Sequence, residues 1–170
     1  KWNYGIPGNF VKITKGYCEQ KGWNCIIDTE ADELPLHEAS NYLLKRLIDL
    51  KVSSKEKPVC IVAGGEVRVA VTGKGKGGRN QAFVLECIEK ISGGKIAVLS
   101  AGTDGIDGNS FAAGAVADGT SYKRANDLNL EVSKYISNSD SNTFFSKLGD
   151  DIVIGETGNN VRDIRMLLHL

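Results

Sequence analysis

An α/β fold, with a mostly parallel or mixed sheet flanked by helices, is predicted by three features of the sequence. Residues 58–63 and 96–100 are apolar runs of strand length, and between them Phe83, Val84, Cys87, Ile88 and Ile91 recur at helical spacing. Strand, helix and strand in that order predict a parallel crossover unit. Both apolar runs end in glycine-bearing loops that carry acids, and the ends of such strands are where open α/β sheets bind ligands. A length of 170 residues suits one domain with a substantial core.

The elements follow in order. Residues 2–9, with Gly5, Pro7 and Gly8, read as a linker or a cut edge. Residues 10–21 are expected to form a helix with Phe10, Ile13, Tyr17 and Cys18 inward, stopped by Gly22 as its left-handed end. A short buried strand over 23–27 and an acidic loop over 28–33 come next. Leu36, Ala39, Leu43, Leu44, Leu47 and Leu50 predict an amphipathic helix over 36–50, with His37 as a cap-region or surface residue. Residues 53–57 are a polar turn, so 1–57 is read as a lead-in segment packed on, or linking to, a domain over 58–170. Val67, Val69 and Val71 alternate with polar or small residues as in a strand, and Ser92-Gly93-Gly94 stops the following helix. Residues 111–118, rich in Ala and Gly, suit close backbone packing behind a site or a tight helix contact. Short helices are expected over 122–127 and 130–136. Asn138-Ser139-Asp140-Ser141 reads as a helix N-terminus ahead of a core pair, Phe144 and Phe145. A strand over 152–154 and a strand or short helix over 164–170 close the chain.

Composition excludes several functions. With 21 basic and 21 acidic residues and no like-charge block, neither nucleic acid nor a charged membrane surface is an expected partner. No apolar run approaches the roughly 20 residues of a membrane span, and no signal peptide opens the chain, so a soluble, cytoplasmic protein is expected. Cys18, Cys25, Cys60 and Cys87 form no C-x-x-C pair, and His37 and His169 lie far apart. Their spacing indicates neither a zinc site nor a disulfide framework, and buried free thiols are the expectation.

Three loops carry the candidate chemistry. In the first, Gly73, Gly75, Gly77 and Gly78 with Lys74, Lys76 and Arg79 lie between the expected strand and a helix start. Backbone N–H groups, the helix dipole and basic side chains together make an anion cradle. Gly73, Gly75 and Gly78 fit G-x-G-x-x-G, yet no acid ends the next strand, and Arg79-Asn80 replace the Lys and hydroxyl residue of a P-loop. Just ahead of it, Glu66 follows Gly64-Gly65 at a strand end, placed to hold a metal, a hydroxyl or a basic partner. In the second loop, Asp104 and Asp107 stand among glycines at a spacing that suits a carboxylate pair around Mg²⁺, or a single base. The third, from Gly155 to Asp163, is rich in hydrogen-bonding side chains.

Together these blocks resemble the C-terminal, or MOFRL, domain of glycerate 2-kinases, relatives of which are also labelled hydroxypyruvate reductases. The resemblance rests on Gly64-Gly65-Glu66, Gly73 through Gln81, Gly102 through Gly108, Ala113-Gly114-Ala115 with Asp118, and Thr157-Gly158 with Asn160-Val161 and Asp163. The chain departs from the family pattern at Ala82, Glu156, Asn159 and Arg162, where an acid, a proline, a threonine and an asparagine are usual. What the resemblance implies is ATP-dependent phosphorylation of D-glycerate at the 2-hydroxyl, with Mg²⁺, giving 2-phosphoglycerate. The implied site is a cleft shared with a larger, Rossmann-like N-terminal domain that also supplies a lysine. Glu66, Arg79, Asp104 and Asn160 are then the active-site residues of this half. Gly73, Gly75, Gly77, Gly78, Thr157 and Gly158 would hold the cofactor, and Asp104 is the candidate metal ligand. Arg79 would clamp a phosphate or the glycerate carboxylate, Asp104 would take the hydroxyl proton or Mg²⁺, Glu66 would orient Arg79 or join the metal, and Asn160 would fix substrate. Two alternatives stand beside this reading: a nicotinamide-dependent hydroxypyruvate reductase and a non-catalytic anion-binding domain. Whether the chain pairs as a homodimer is left open.

Overall fold

A computed structural model describes residues 8–54 and 56–170. The expected linker over 2–9 lies outside these up to residue 7, and Gly8 already begins the first helix. The elements are α1 (Gly8–Gln20), β1 (Asn24–Asp28), α2 (Leu36–Ser53), β2 (Val59–Gly65), α3 (Arg79–Cys87), β3 (Ile96–Gly102), β4 (Gly114–Asp118), α4 (Ser121–Asp127), α5 (Val132–Ser137), α6 (Ser141–Leu148), β5 (Asp151–Ile152) and β6 (Asp163–His169).

All strands join one six-stranded sheet in the order β1-β2-β6-β3-β4-β5. The mixed alternative holds, and the mostly parallel one does not. Only β1 and β2 pair in parallel, while β2 with β6, β6 with β3, β3 with β4 and β4 with β5 are antiparallel. Because β2 and β3 are both antiparallel to β6, they run in the same direction, as the crossover rule expects. They are not neighbours, since the last strand of the chain slots between them. That insertion brings the C-terminal ends of β2 and β3 and the start of β6 to one edge.

Alternation along β2 explains the two cores. Val59, Ile61 and Ala63 face the larger one, where Leu43, Leu47, Phe83, Ile88, Phe144 and Phe145 are buried. Cys60 and Val62 face a smaller one under α1, with Val11, Cys18 and Cys25. The helix thus buries Val11 and Cys18, whereas the expected inward residues Ile13 and Tyr17 are 72% and 60% exposed. The reason is coverage: α1 packs chiefly on β1 and β2, at one edge of the sheet, so only a narrow stripe of it meets the sheet. Gly22, at φ +82°, turns the chain from α1 into β1.

The strand expected at Val67, Val69 and Val71 is absent. β2 is already paired on both edges, so the chain leaves the sheet after Gly65. A single bridge from Arg68 to Pro35 holds the extended segment that follows. Residues 114–118 form a strand, β4, whose Ala115 and Ala117 pack into the core with residues of α3. A Cβ on Gly114 would stand 1.9 Å from the Ser100 carbonyl oxygen, which is why glycine is needed there.

Candidate active site

Asp163, the first residue of β6, sits in register with Gly65 on one side and Gly102 on the other. This side chain was not singled out among the sequence-derived site residues, yet it is the hub of the edge. It is 2% exposed. Arg79, the first residue of α3, donates to it twice, from Nε at 2.6 Å and Nη2 at 3.2 Å. Glu66 Oε2 forms an ion pair with Arg79 Nη1 at 2.8 Å. A guanidinium has five N–H donors, and two are engaged in hydrogen bonds to Asp163, so donors remain for an incoming oxyanion. The hydrogen bond from Arg79 to Asp163 raises the arginine further above its ordinary value, so its charge is permanent.

Three further groups complete this cluster. Arg165, fully buried on β6, approaches Asp163 Oδ2 at 3.4 Å and lies over the Phe83 ring at 5.6 Å. Burial lowers its ordinary value. Arg162 grips both oxygens of Asp32, at 2.8 and 2.9 Å, and reaches Glu33 at 3.0 Å. Asp32 Oδ1 also accepts the Glu66 N–H at 2.8 Å. Burial alone would raise the Asp32 carboxyl, but the Glu66 N–H and the Arg162 guanidinium hold it below the usual carboxylate range. Arg162 does this from φ +74°, a left-handed conformation unusual for a long side chain.

Asp104 and Asn160 make a second, looser pair just beyond β3. Asn160 Nδ2 donates to Asp104 Oδ2 at 3.2 Å. The Thr157 N–H donates to the Asp104 carbonyl at 2.9 Å, and the Thr157 hydroxyl to the Thr103 carbonyl at 2.7 Å. Asn160 and Thr157 are exposed and Asp104 is half-buried. The two clusters are joined through backbone: the Thr103 N–H and hydroxyl both donate to the Arg162 carbonyl. Among the described residues, no direct hydrogen bond links Asp104 to Arg79 or Glu66.

Asp107 departs from expectation. The carboxylate pair with Asp104 does not form, because Asp107 is 2% exposed and turned under α3. Its oxygens accept the N–H groups of Asn80 at 3.0 Å and Gln81 at 2.8 Å, and both side-chain amides as well. Burial pushes this carboxyl up while those four donors oppose the rise. The positive end of α3 is therefore answered by the protein's own carboxylate, as orphan N–H groups at a helix start demand.

The glycine loop has likewise spent much of its donor set internally. The N–H groups of Gly75, Lys76 and Gly77 donate to the Asn138 carbonyl, Asp140 Oδ1 and Asn109 Oδ1 at 2.9, 2.9 and 2.8 Å. Its glycines serve close approach. A Cβ on Gly73 or Gly75 would meet Asn138 or Asp140, and one on Gly78 would meet Asp107 within 2.3 Å. Lys74 and Lys76 remain exposed beside it. Gly77 and Gly78 pack on Gly108, and Gly105 packs on Gly155, so the three loops form one continuous surface. Thr157 and Gly158 lie on its exposed far side. His37 is at the surface, paired with Glu86 at 2.7 Å.

Comparison with known proteins adds the context. A sequence profile of the MOFRL family matches residues 59–163. The chain is similar to a D-glycerate 2-kinase of Thermotoga maritima, 34% identical across 94% of this chain and 40% of that protein. It is also similar to a glycerate kinase of Danio rerio, 43% identical across 64% of this chain and 23% of that one. A crystal structure of glycerate kinase from Thermotoga maritima superposes with a TM-score of 0.90 at 31% identity, covering 98% of this chain and 41% of its own. The chain thus spans about two fifths of the length of the Thermotoga relative. No described helix is long and apolar enough to cross a membrane.

Proposed function

This chain belongs to the MOFRL family, and on that premise we propose that its charged sheet edge is one wall of a glycerate 2-kinase active site, completed by a second domain. The observation that carries the reading is Arg79. It is hydrogen-bonded twice to Asp163 and paired with Glu66, while about a third of its side chain stays exposed and donors remain for an oxyanion. Phosphoryl transfer asks mainly for positioning and for neutralised charge, and a pre-oriented guanidinium supplies both.

In this reading Arg79 binds the glycerate carboxylate or the transferred phosphoryl group. Asp104, steadied by Asn160, takes the proton of the 2-hydroxyl or holds the cation. Mg²⁺ fits here chemically because it needs only one or two carboxylates beside substrate phosphates, whose charge it shields when bound. Asp104 is the residue that would hold it. The ATP phosphates are assigned to Gly73–Gly78, Thr157 and Gly158. The contribution there is charge from Lys74 and Lys76 and the close approach that glycines permit, because several amides are already engaged.

The test is an assay of glycerate-dependent ADP release with Mg·ATP. This chain alone is expected to give none. Joined behind the N-terminal portion of the Thermotoga maritima relative, it is expected to turn over at an ordinary kinase rate, about 1 s⁻¹ or more. Turnover by the chain alone at that rate contradicts the shared site. Oxidation of NADH with hydroxypyruvate by the joined protein would establish the reductase alternative instead.

A further inference from the structure

Away from the charged edge, three cysteines meet under α1. Cys25 and Cys60 are register partners across the parallel β1 and β2 pair, so their side chains leave the same face. Cys18 comes down on them from the last turns of α1, whose exit is fixed by Trp23 and Lys21 N–H groups donating to the Cys18 carbonyl. The three sulfur atoms lie within 4.8 Å of one another, and those of Cys18 and Cys60 are 4.0 Å apart. All three residues are at most 3% exposed and none is in a disulfide. The sequence spacing has no metal motif, because the cluster is assembled by strand pairing and by one helix crossing.

We propose that Cys18, Cys25 and Cys60 form a three-thiolate site for a soft monovalent cation of the Cu(I) class. An equilateral triangle of sulfurs 4.0 Å on edge has its centre about 2.3 Å from each, which is a metal–thiolate bond length. Edges of up to 4.8 Å need to close by no more than about 0.8 Å, within reach of small side-chain rotations. Ligand type and number select the ion. Thiolates favour soft cations, and structural Zn²⁺ asks for four ligands. Among the described residues no fourth His, Cys, Asp or Glu joins the group. The cation replaces thiol protons, which pass to solvent, and neither sulfur nor metal changes oxidation state. The physical consequence is a clip that pins α1 to the β1 and β2 pair.

The reduced 170-residue protein, titrated anaerobically with Cu(I) against a chromophoric Cu(I) chelator, tests this. One equivalent is expected to survive gel filtration, with sulfur-to-copper charge transfer in the near ultraviolet and three sulfur neighbours by X-ray absorption. Bound copper should raise the melting temperature. Cys18→Ala is expected to weaken binding on the order of 100-fold or more, since even an outer-shell partner is worth about 10–100-fold. Cys87→Ala, which removes a buried thiol of the other core, should leave binding unchanged. Copper retained equally by Cys18→Ala overturns the site, as does Zn²⁺ outcompeting Cu(I). Should Cys18→Ala not fold, the unaltered protein decides: no retained copper, or two sulfur neighbours in place of three, overturns it.

Discussion

The two clusters at the sheet edge are built on opposite principles. Around Asp163 the charges are paired: Asp163 and Arg165 are buried, Arg79 and Glu66 are half-buried beside them, and Arg162 and Asp32 join through ion pairs and backbone contacts, while Arg165 Nε and Nη1 find no partner among the described residues. Around Asp104 there is a single side-chain hydrogen bond to an exposed asparagine and a fringe of turn contacts. The first arrangement is rigid and costly to disturb, since removing one member leaves another charge unpaired in a low dielectric. The second leaves a carboxylate open to substrate or cation. For the proposed site, the difference teaches that fold stability and reactivity are divided between neighbouring loops, with Arg79 and Glu66 belonging to both.

The largest effect on stability is expected at Asp163. Asp163→Asn keeps the shape but leaves Arg79 and Arg165 facing each other without their shared anion, and the loss should be about 3–5 kcal/mol. Chemical denaturation of the variant measures it, and a cost below about 1 kcal/mol would mean the hub is solvated and the contrast with Asp104 is false. Next comes Arg79→Lys in the joined protein. Charge survives but the fork does not, so Asp163 and the incoming oxyanion can no longer both be held bidentately. The expected cost is about 1–3 kcal/mol in kcat/KM, and unchanged steady-state kinetics would remove Arg79 from the reacting end.

The edge itself was only partly legible in the sequence. Glycine pairs at strand ends, the helix starting at Arg79 and the acids of the loops were local signals, and they led to Glu66, Arg79, Asp104 and Asn160. Asp163 was harder to see because its importance comes from position. Only when residues 163–169 enter the middle of the sheet does it stand between Gly65 and Gly102, and nothing local announces that an end strand will be central. The same insertion separates β2 from β3 and makes the sheet mixed. Asp107 misled in the opposite direction, since spacing from Asp104 suggested a pair while the unsatisfied N–H groups of Asn80 and Gln81 claimed it. Cys25 and Cys60 become partners through register, and Ile13 and Tyr17 lost their inward place because α1 covers so little sheet.

The smallest effect is expected at Arg162. Arg162→Asn gives up the exposed ion pairs to Asp32 and Glu33, each worth at most about 1 kcal/mol, and gains a residue that tolerates positive φ. Net stability at neutral pH should therefore change by no more than about 1 kcal/mol. Its signature lies in acid. Asp32 has a lowered folded-state value, so its contribution is present above the ordinary carboxylate range and disappears as pH falls through that lowered value. Without Arg162 the loss should begin at higher pH. Circular dichroism followed from about pH 6 to pH 2 reads this shift, and coincident acid-unfolding curves for the two proteins would contradict the assigned pairing.

The most direct test of the account is Asp104→Asn in the joined protein, with kcat for glycerate and Mg·ATP and a melting curve measured on the same sample. The substitution is nearly isosteric and Asp104 holds little of the fold, so the melting temperature should stay close to that of the parent. A group that accepts the hydroxyl proton contributes about 10²–10⁴-fold, and kcat should fall within that range. A kcat within about twofold of the parent, at unchanged melting temperature, would contradict the division between a structural and a reactive cluster and remove Asp104 from the site.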